Sequence, residues 1–247
     1  MREAKNSYQP ESIPSVWDDV AGEYASIDWN AVDHKANLEI IFKLFGDLGG
    51  KKVCEVGCGA GVMSSILASR GALVTLVDIS QKSLGFAEDF FQRSGLQAQF
   101  VLCDALDMPL ENESYDIVWN AGVIEHFFDD GKIKLLREMM RLVKPGGKMI
   151  LFVPNSLDFP FMVGKWIRKL TGKWIYGYED DMSPRRLRRL AYHGGLIDAT
   201  AFAFNPVVGW WFVGLKGLTM KLGLHTVDWH ARLSPFGHCS VLVVDKR

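Results

Sequence analysis

The stretch from Val53 to Gly61 joins a short apolar strand to three glycines at alternate positions. Glu55 stands two residues before the first glycine, Gly57, and Gly59 and Gly61 follow. Glycine lacks a Cβ atom, so a glycine-rich turn between a strand and a helix lets the backbone press against a nucleotide-like ligand. A dinucleotide site has the spacing G-x-G-x-x-G and receives a pyrophosphate. A carboxylate at Glu55 would repel that pyrophosphate, so the sequence predicts a cationic ligand.

Two further acidic residues follow the next two predicted strands. Asp78 closes the apolar run that begins at Leu73 and comes about 20 residues after Gly57, where a carboxylate can accept both ribose hydroxyls. An Asp at this position can also cap a helix. Asp104 follows the third strand, and it can accept the adenine amino proton while the backbone N–H of Ala105 meets a ring nitrogen.

The fourth predicted strand, Tyr115 to Trp119, runs into a segment that ends in Glu125 and His126. Together with the glycine turn and the two acidic positions, it resembles class I S-adenosylmethionine-dependent methyltransferases, in particular the small-molecule, ubiquinone-biosynthesis-like branch. Their first motif is E/D-x-G-x-G-x-G, and their fourth strand reads F/Y-D-x-V-x-x-x-x-V-L-E-H. The resemblance covers about residues 15 to 153, with four motifs in the expected order.

The resemblance implies that S-adenosyl-L-methionine is the cofactor and that a defined set of residues binds it. The implied cofactor-binding residues are Glu55, Gly57, Cys58, Gly59, Gly61, Asp78, Ile79, Asp104, Ala105, Asn120, Ala121 and Tyr24. Asn120 is expected to hold the amino group of the methionine portion through its side-chain carbonyl. His126 is the candidate catalytic residue, as a proton acceptor, although a lone His is also a common structural group.

Tyr24 and Trp17 lie in an N-terminal segment similar to the family pattern W/F-x-x-x-A-x-x-Y. These aromatics could cover the site near the sulfonium, or they could pack an amphipathic helix on the sheet, and the sequence leaves both readings open.

The composition of the chain argues against several classes of ligand and location. The 247 residues carry 28 Lys and Arg against 29 Asp and Glu, and this net charge of −1 predicts no nucleic-acid partner. The four cysteines show no metal-ligand spacing, so we expect no metal site and reduced thiols in a cytoplasmic protein. Residues 1–12 lack the apolar stretch of a secretory signal, and the apolar run at 206–215 is too short for a membrane span.

The alternation of strands and helices predicts an α/β fold. We expect a Rossmann-like, seven-stranded, mostly parallel sheet with helices on both faces and an antiparallel last strand. The chain is interpreted as a single methyltransferase domain, 1–247. It would comprise an N-terminal helical cap at 1–50, a cofactor-binding core at 51–153, and substrate-side insertions at 154–197 and 206–235.

The predicted function is methyl transfer from S-adenosyl-L-methionine to O, N or C of a small or lipid-like molecule by in-line displacement. Two alternatives remain at this stage: a non-catalytic S-adenosylmethionine-binding module, and an NAD-dependent oxidoreductase, which the glycine spacing disfavours. The aromatic insertion at 206–235 could serve core packing, an apolar substrate channel, peripheral membrane contact or oligomerisation. The sequence leaves the oligomeric state and the acceptor open.

Overall fold

The computed structural model describes residues 13–22, 32–205, 207–224 and 237–247. The strands of this part of the chain form one seven-stranded sheet in the order β3-β2-β1-β4-β5-β7-β6. They are β1 (Lys52–Val56), β2 (Leu73–Asp78), β3 (Ala98–Leu102), β4 (Tyr115–Ala121), β5 (Val143–Pro154), β6 (Ala199–Phe204) and β7 (Cys239–Asp245).

Helices precede the sheet and connect most of its strands. They are α1 (Ile13–Gly22), α2 (Val32–Phe45), α3 (Val62–Ala68), α4 (Gln81–Arg93), α5 (Asp129–Leu142), α6 (Phe159–Leu170), α7 (Pro184–His193) and α8 (Lys216–Lys221). Ser183 caps α7 by accepting a hydrogen bond from the backbone N–H of Arg186, immediately ahead of Pro184, as the sequence predicts.

The first five strands are parallel to one another, and β7 runs antiparallel between β5 and β6. This confirms the predicted Rossmann-like α/β sheet with its antiparallel last strand. Because β7 is reversed, its first residue lies beside the last residues of its neighbours: Cys239 pairs with both Pro154 and Phe204. The sheet thus brings residues near 239 to the edge at which β1, β2 and β4 end.

The sheet is buried on both faces, which explains why its strands are apolar almost without interruption. One core includes Val118, Leu135 and Met139 and lies under α5 and α7. The other includes Leu76, Trp119 and residues of α2, α3 and α4. Each face therefore has its own hydrophobic core, and together the two cores hold the strand ends in fixed positions.

Two element boundaries differ from those that the sequence pattern predicts, which are a helix from about Lys132 to Leu142 and a Lys-Pro-Gly-Gly turn at 144–147 before a strand. The α5 helix begins at Asp129, ahead of the predicted Lys132, and includes Gly131, a residue that normally disfavours helix interiors. A Cβ atom on Gly131 would lie 3.1 Å from the Cβ of Phe127, so close packing explains the glycine. The predicted turn at 144–147 lies inside β5 as an irregularity, where the register against β4 shifts between Tyr115 and Ile117.

Candidate active site

A cleft of about 800 Å³ opens at the edge of the sheet where the parallel strands end. Residues that follow β1, β2, β3 and β4 line one half of it. Residues at the ends of β5 and β6, the start of β7 and the segment 176–179 line the other half. Ligands of open α/β sheets bind at this edge. Ten of the thirteen sequence-predicted site residues line the cleft: Glu55, Gly57, Cys58, Gly59, Asp78, Ile79, Asp104, Ala105, Ala121 and His126.

The glycines of the first turn serve different purposes. Gly57 has a φ of 68°, and a Cβ atom there would lie only 2.4 Å from Cγ2 of Val123. Gly59 has a φ of 53° and its backbone N–H donates to Asp78 Oδ2 over 2.9 Å. Gly61 does not line the cleft, because it faces the core, where a Cβ atom would lie 2.9 Å from Leu76 Cδ1. The structure thus gives Gly61 a packing role instead of the predicted ligand contact.

The carboxyl group of Asp78 is held by the backbone of the cleft. Its Oδ2 accepts from Gly59, and its Oδ1 accepts from the N–H of Ser80 over 2.9 Å. The cap of α4 is Ser80, whose hydroxyl accepts from Ser83, so Asp78 is not the helix cap. Burial raises the pKa of Asp78, and the backbone hydrogen bonds oppose that shift. A carboxylate has about four acceptor positions, which leaves capacity for ligand hydroxyls.

Glu55 is buried at the end of β1, with 4% of its surface exposed. Its Oε2 atom has no hydrogen-bond partner. Burial raises the pKa of Glu55 to about 8, and the nearby charge of Asp78 acts in the same direction. A buried carboxyl oxygen that has no hydrogen-bond partner among the described residues is costly unless a ligand satisfies it. Glu55 is therefore suited to a cationic group bound in the cleft.

The charge of the cleft is one-sided. Among the described residues, its lining contains no Lys and no Arg but five carboxyl side chains, which are Glu55, Asp78, Asp104, Glu125 and Glu179. Glu179 is paired with Lys165 over 2.7 Å, and burial raises the pKa of Glu55 and of Glu125 to about 8. A bound cation would stabilise the ionised form of these carboxyl groups, whereas a pyrophosphate would find no cationic partner in the lining. The residues present therefore fit a sulfonium cofactor and do not fit a dinucleotide.

The structure does not bring Asn120 to the cleft. This side chain is fully buried on the opposite side of β4, where its Nδ2 atom lies 3.3 Å from Met139 Sδ in α5. Side chains alternate across a strand, so neighbouring Ala121 faces the cleft while Asn120 faces the core. Its Oδ1 atom has no hydrogen-bond partner among the described residues. The expectation that this carbonyl holds the cofactor amino group therefore stays a prediction, for a residue that does not line the cleft.

His126 lies on a short 3-10 turn, Ile124–His126, and lines the cleft beside Glu125. Its Nδ1 atom lies 2.9 Å from the backbone carbonyl of Tyr178, so this nitrogen carries the proton and donates it. Burial lowers the pKa of His126 to about 4. The ring is therefore neutral at physiological pH and is a weak proton acceptor.

Helix α1 covers the first half of the cleft. It contributes Trp17, whose ring contacts His126 edge to face at 4.7 Å, and Val16 and Val20 also line the cleft. The same helix packs against α4, and it places Trp17 in the lining of the cleft. The position of Trp17 near the sulfonium stays a prediction. Tyr24, the other predicted aromatic, lies outside the described residues.

The sequence predicts a substrate-side insertion at 154–197, which supplies Tyr176 and Tyr178, but it identifies no individual residue of the second half of the cleft. Its aromatic lining comes from separate segments of the chain and includes Phe152, Tyr176, Tyr178 and Phe204. Two polar residues, Asn205 and His238, complete it. Of these two, Asn205 has a residue type that fits its local backbone: its φ is 58°, a value that Asn adopts more readily than most residues. His238 carries no local signal, because long-range pairing of β7 places it.

Comparisons with known proteins decide the family. A family model described as a methyltransferase domain matches residues 54–151. The ubiquinone biosynthesis O-methyltransferase of Bordetella avium is 30% identical over 177 residues, which cover 69% of this chain and 73% of that protein. The chain belongs to the class I S-adenosylmethionine-dependent methyltransferases. Its cofactor is S-adenosylmethionine, and it transfers a methyl group to a small molecule.

A further relative and a solved structure support the assignment of this methyltransferase to its family. The ubiquinone biosynthesis O-methyltransferase of Aeromonas salmonicida is 28% identical over 80% of this chain and 84% of its own. A solved S-adenosylmethionine-dependent methyltransferase of Thermotoga maritima shares the fold with a TM-score of 0.64, at 18% identity, over 94% of this chain and 99% of that one. The oxidoreductase alternative is thereby set aside. No helix among the described residues of this methyltransferase is long and apolar enough to cross a membrane.

Proposed function

We propose that this methyltransferase methylates a hydroxyl oxygen of an uncharged, largely apolar aromatic molecule. The observation that carries the proposal is the lining of the cleft, which combines aromatic side chains around the second half with no Lys or Arg among the described residues. An acidic, aromatic site favours a neutral acceptor over a phosphorylated or carboxylated one. The curated relatives support oxygen as the acceptor atom, because they are O-methyltransferases of ubiquinone biosynthesis.

In the first half of the cleft, Asp78 would accept the two ribose hydroxyls and Glu55 would face the ammonium group. Asp104 and Ala105 would meet the adenine edge, with Cys58 and Ile79 beside the nucleoside and Ala121 along the methionine portion. The bound cofactor supplies the methyl group and its sulfonium leaving group. The protein supplies alignment and exclusion of water, which an in-line displacement needs most.

The high pKa of Glu55, about 8, makes cofactor affinity pH-dependent. Below pH 8 this group is mostly protonated in the free protein, and only its ionised form attracts a cation. Binding must therefore release a proton, and the Kd for S-adenosylmethionine is expected to rise up to about tenfold for each pH unit from 8 down to 6. An α-amino group has a pKa of about 8, so the cofactor amine is protonated below about pH 7 and only partly protonated at pH 8; the slope is therefore read between pH 7 and 6. Isothermal titration calorimetry at several pH values measures the slope.

The matched control is Glu55→Gln, which keeps the shape of the side chain and removes its titration. This variant should bind the cofactor more weakly than the wild type at pH 8, with a nearly flat dependence on pH. A wild-type Kd that is the same at pH 6 and pH 7 would show that Glu55 does not face the cation.

The acceptor is tested by methyl transfer from labelled cofactor to paired aromatic compounds. We expect transfer to an alkyl-substituted catechol and none to the matched aromatic amine, with mass spectrometry locating the methyl group on oxygen. Methylation of the amine alone, or of ring carbon alone, would contradict the proposal. The same assay separates the enzyme from a non-catalytic binding module, since a module would bind cofactor without turnover.

A lipid-like acceptor fits a surface beside the cleft. Helix α6 exposes Phe159, Trp166 and Leu170 along one face, at 75%, 62% and 67% of their surfaces. Arg168 and Lys169 lie on the same helix. Apolar residues flanked by cations are typical of surfaces that contact anionic membranes. We therefore propose peripheral membrane contact through α6. Sedimentation with anionic vesicles should remove the protein from solution, and no binding at low salt would exclude this contact.

We also retain, as proposals, the single-domain interpretation of 1–247 and a reducing, cytoplasmic location. The location is supported by the four cysteines, all of which are free.

A further inference from the structure

Asp158 and His238 form a buried pair on the second half of the cleft. Oδ2 of Asp158 lies 3.0 Å from Nδ1 of His238, and the two side chains are 4% and 14% exposed. Asp158 is the cap of α6, and its Oδ1 accepts from the N–H of Phe161 over 3.3 Å. A carboxylate only accepts hydrogen bonds, so in the neutral form of the His238 ring Nδ1 carries the proton and Nε2 keeps a lone pair.

The His238 ring is held in one orientation by aromatic neighbours. Phe212 stacks on it with centroids 5.4 Å apart, and Phe161 meets it edge to face at 4.8 Å. The carboxylate fixes the Nδ1 end, so the Nε2 end has a defined direction. A side chain locked by packing and a hydrogen bond is preorganised for chemistry.

His238 lies at the edge of the sheet, in the lining of the second half of the cleft, where the acceptor is proposed to bind. It directly precedes Cys239, and its backbone N–H donates to the carbonyl of Asn205 over 2.9 Å. Both His238 and Asn205 line the cleft. Asn205 takes a left-handed backbone conformation, and its buried Nδ2 atom has no hydrogen-bond partner within residues 13–22, 32–205, 207–224 and 237–247. An unusual backbone conformation with an unsatisfied donor at a cleft is typical of a ligand contact.

We infer that His238 is the general base that takes the proton of the acceptor hydroxyl, with Asp158 as its positioning residue and Asn205 as a hydrogen-bond donor to a neighbouring acceptor oxygen. The inference rests on the proposed function, because an acceptor hydroxyl must be present. It names the subsite for an aromatic ring with two adjacent oxygens, since the base and the donor belong to two residues that are hydrogen-bonded through their backbones and both line the cleft.

The step balances as a simple proton and methyl transfer. The acceptor O–H bond breaks and its proton moves to Nε2 of His238. The oxygen forms a bond to the methyl carbon as the carbon–sulfur bond breaks, and the electron pair of that bond stays on sulfur. Asp158 stabilises the imidazolium that results, and the proton then passes to solvent.

His126 is less suited to this task. Its Nδ1 partner is the neutral carbonyl of Tyr178, and the nearest carboxylate, that of Glu179, lies 3.9 Å from Nε2, beyond hydrogen-bond distance. Nδ1 of His238, in contrast, contacts the carboxylate of Asp158 directly. A carboxylate stabilises an imidazolium far more than a carbonyl does. Burial also lowers the pKa of His126 to about 4, which weakens it as a base. We therefore assign His126 to positioning of the segment around Tyr178 and expect His126→Gln to retain most turnover.

The test compares His238→Gln and Asp158→Asn with the wild type on two catechols, one that is neutral at the assay pH and one that carries nitro groups and is already ionised. The acidic lining should raise the KM of the ionised catechol, so each variant is compared with the wild type by its kcat at saturation. Asn caps helices as well as Asp does, so Asp158→Asn should fold. With the neutral catechol, His238→Gln should lower kcat by roughly 10²–10⁴-fold, and Asp158→Asn should lower it less. With the ionised catechol, both losses should nearly vanish, because no proton needs to be removed. The Kd for cofactor should stay at the wild-type value.

The matched control is His193→Gln, which changes an exposed His on α7 and should leave both activities unchanged. Equal losses on the neutral and the ionised catechol would reveal structural damage and overturn the inference, as would full activity of His238→Gln. If His126→Gln loses turnover while His238→Gln stays active, the general base is His126 and the inference is wrong. A wild-type enzyme that methylates neither catechol would instead overturn the proposed function, and the inference with it.

Discussion

Replacing Asp78 with alanine is expected to weaken the binding of S-adenosylmethionine by roughly 2–4 kcal/mol, which is about 30- to 700-fold in Kd. The variant loses the charge-assisted acceptors for two ribose hydroxyls. It also leaves the N–H groups of Gly59 and Ser80 without their present acceptor, so the glycine turn loses its anchor. Isothermal titration calorimetry measures the change directly.

Two controls separate ligand contact from general damage. Asp116 is another buried Asp on the sheet, at the start of β4, where Lys144 and Lys51 pair with it. Asp116→Ala should reduce thermal stability yet leave cofactor affinity within about threefold. Asp78→Asn keeps one oxygen acceptor and should fall between wild type and Asp78→Ala. Unchanged affinity in a folded Asp78→Ala protein would remove Asp78 from the ribose site.

Gly59→Val is expected to lower cofactor affinity by at least roughly 100-fold, equivalent to about 2.7 kcal/mol, while leaving a folded protein. The φ of 53° at Gly59 is strained for a β-branched residue. The new side chain would also occupy the edge of the turn that must approach the ligand, and the N–H bond to Asp78 would be disturbed. Cofactor titration, with circular dichroism as the folding check, measures both effects.

Gly95 provides the matched control for backbone strain. It has a φ of 66°, follows α4, and has open space where a Cβ atom would be. Gly95→Val should therefore pay a similar conformational cost without touching the cleft, and its cofactor affinity should equal that of the wild type. If Gly59→Val and Gly95→Val bind the cofactor equally well, close approach of the turn is not needed for binding.

The fold was predictable because its signals are local. Apolar runs alternate with helical segments over 52–153, and sequence periodicity detects such elements well. The boundaries that shifted depend on tertiary packing, which sequence patterns do not contain. Gly131 enters α5 because Phe127 packs against it, and the turn at 144–147 is absorbed into β5 by a change of register.

The residues that line the first half of the cleft were also predictable from the sequence. Two predicted residues, Asn120 and Gly61, do not line it, for clear physical reasons. Glu55, Asp78 and Asp104 end successive strands, so chain order alone places them at one edge. Asn120 differs because strand alternation turns its side chain into the core. Gly61 differs because its missing Cβ atom makes room for Leu76 and not for a ligand.

The individual residues of the second half of the cleft could not be predicted from the sequence. Asn205 lies at the end of β6, Asp158 begins α6, and His238 precedes β7, so these residues share no motif and are widely separated along the chain. Their proximity depends on the antiparallel insertion of one strand and on aromatic packing by Phe212. Only three-dimensional pairing reveals such a group.

The central position of β7 has a consequence for how the domain assembles. Among the described strands β7 is the last in chain order, yet it separates β5 from β6. Until it is synthesised, β5 presents an unpaired backbone edge and β6 has no neighbour to hold it. Such open edges promote intermolecular pairing, and contacts between distant parts of a chain form slowly. Nascent or truncated chains that lack this strand are therefore the forms most prone to aggregate, even though they already contain the residues of the first half of the cleft.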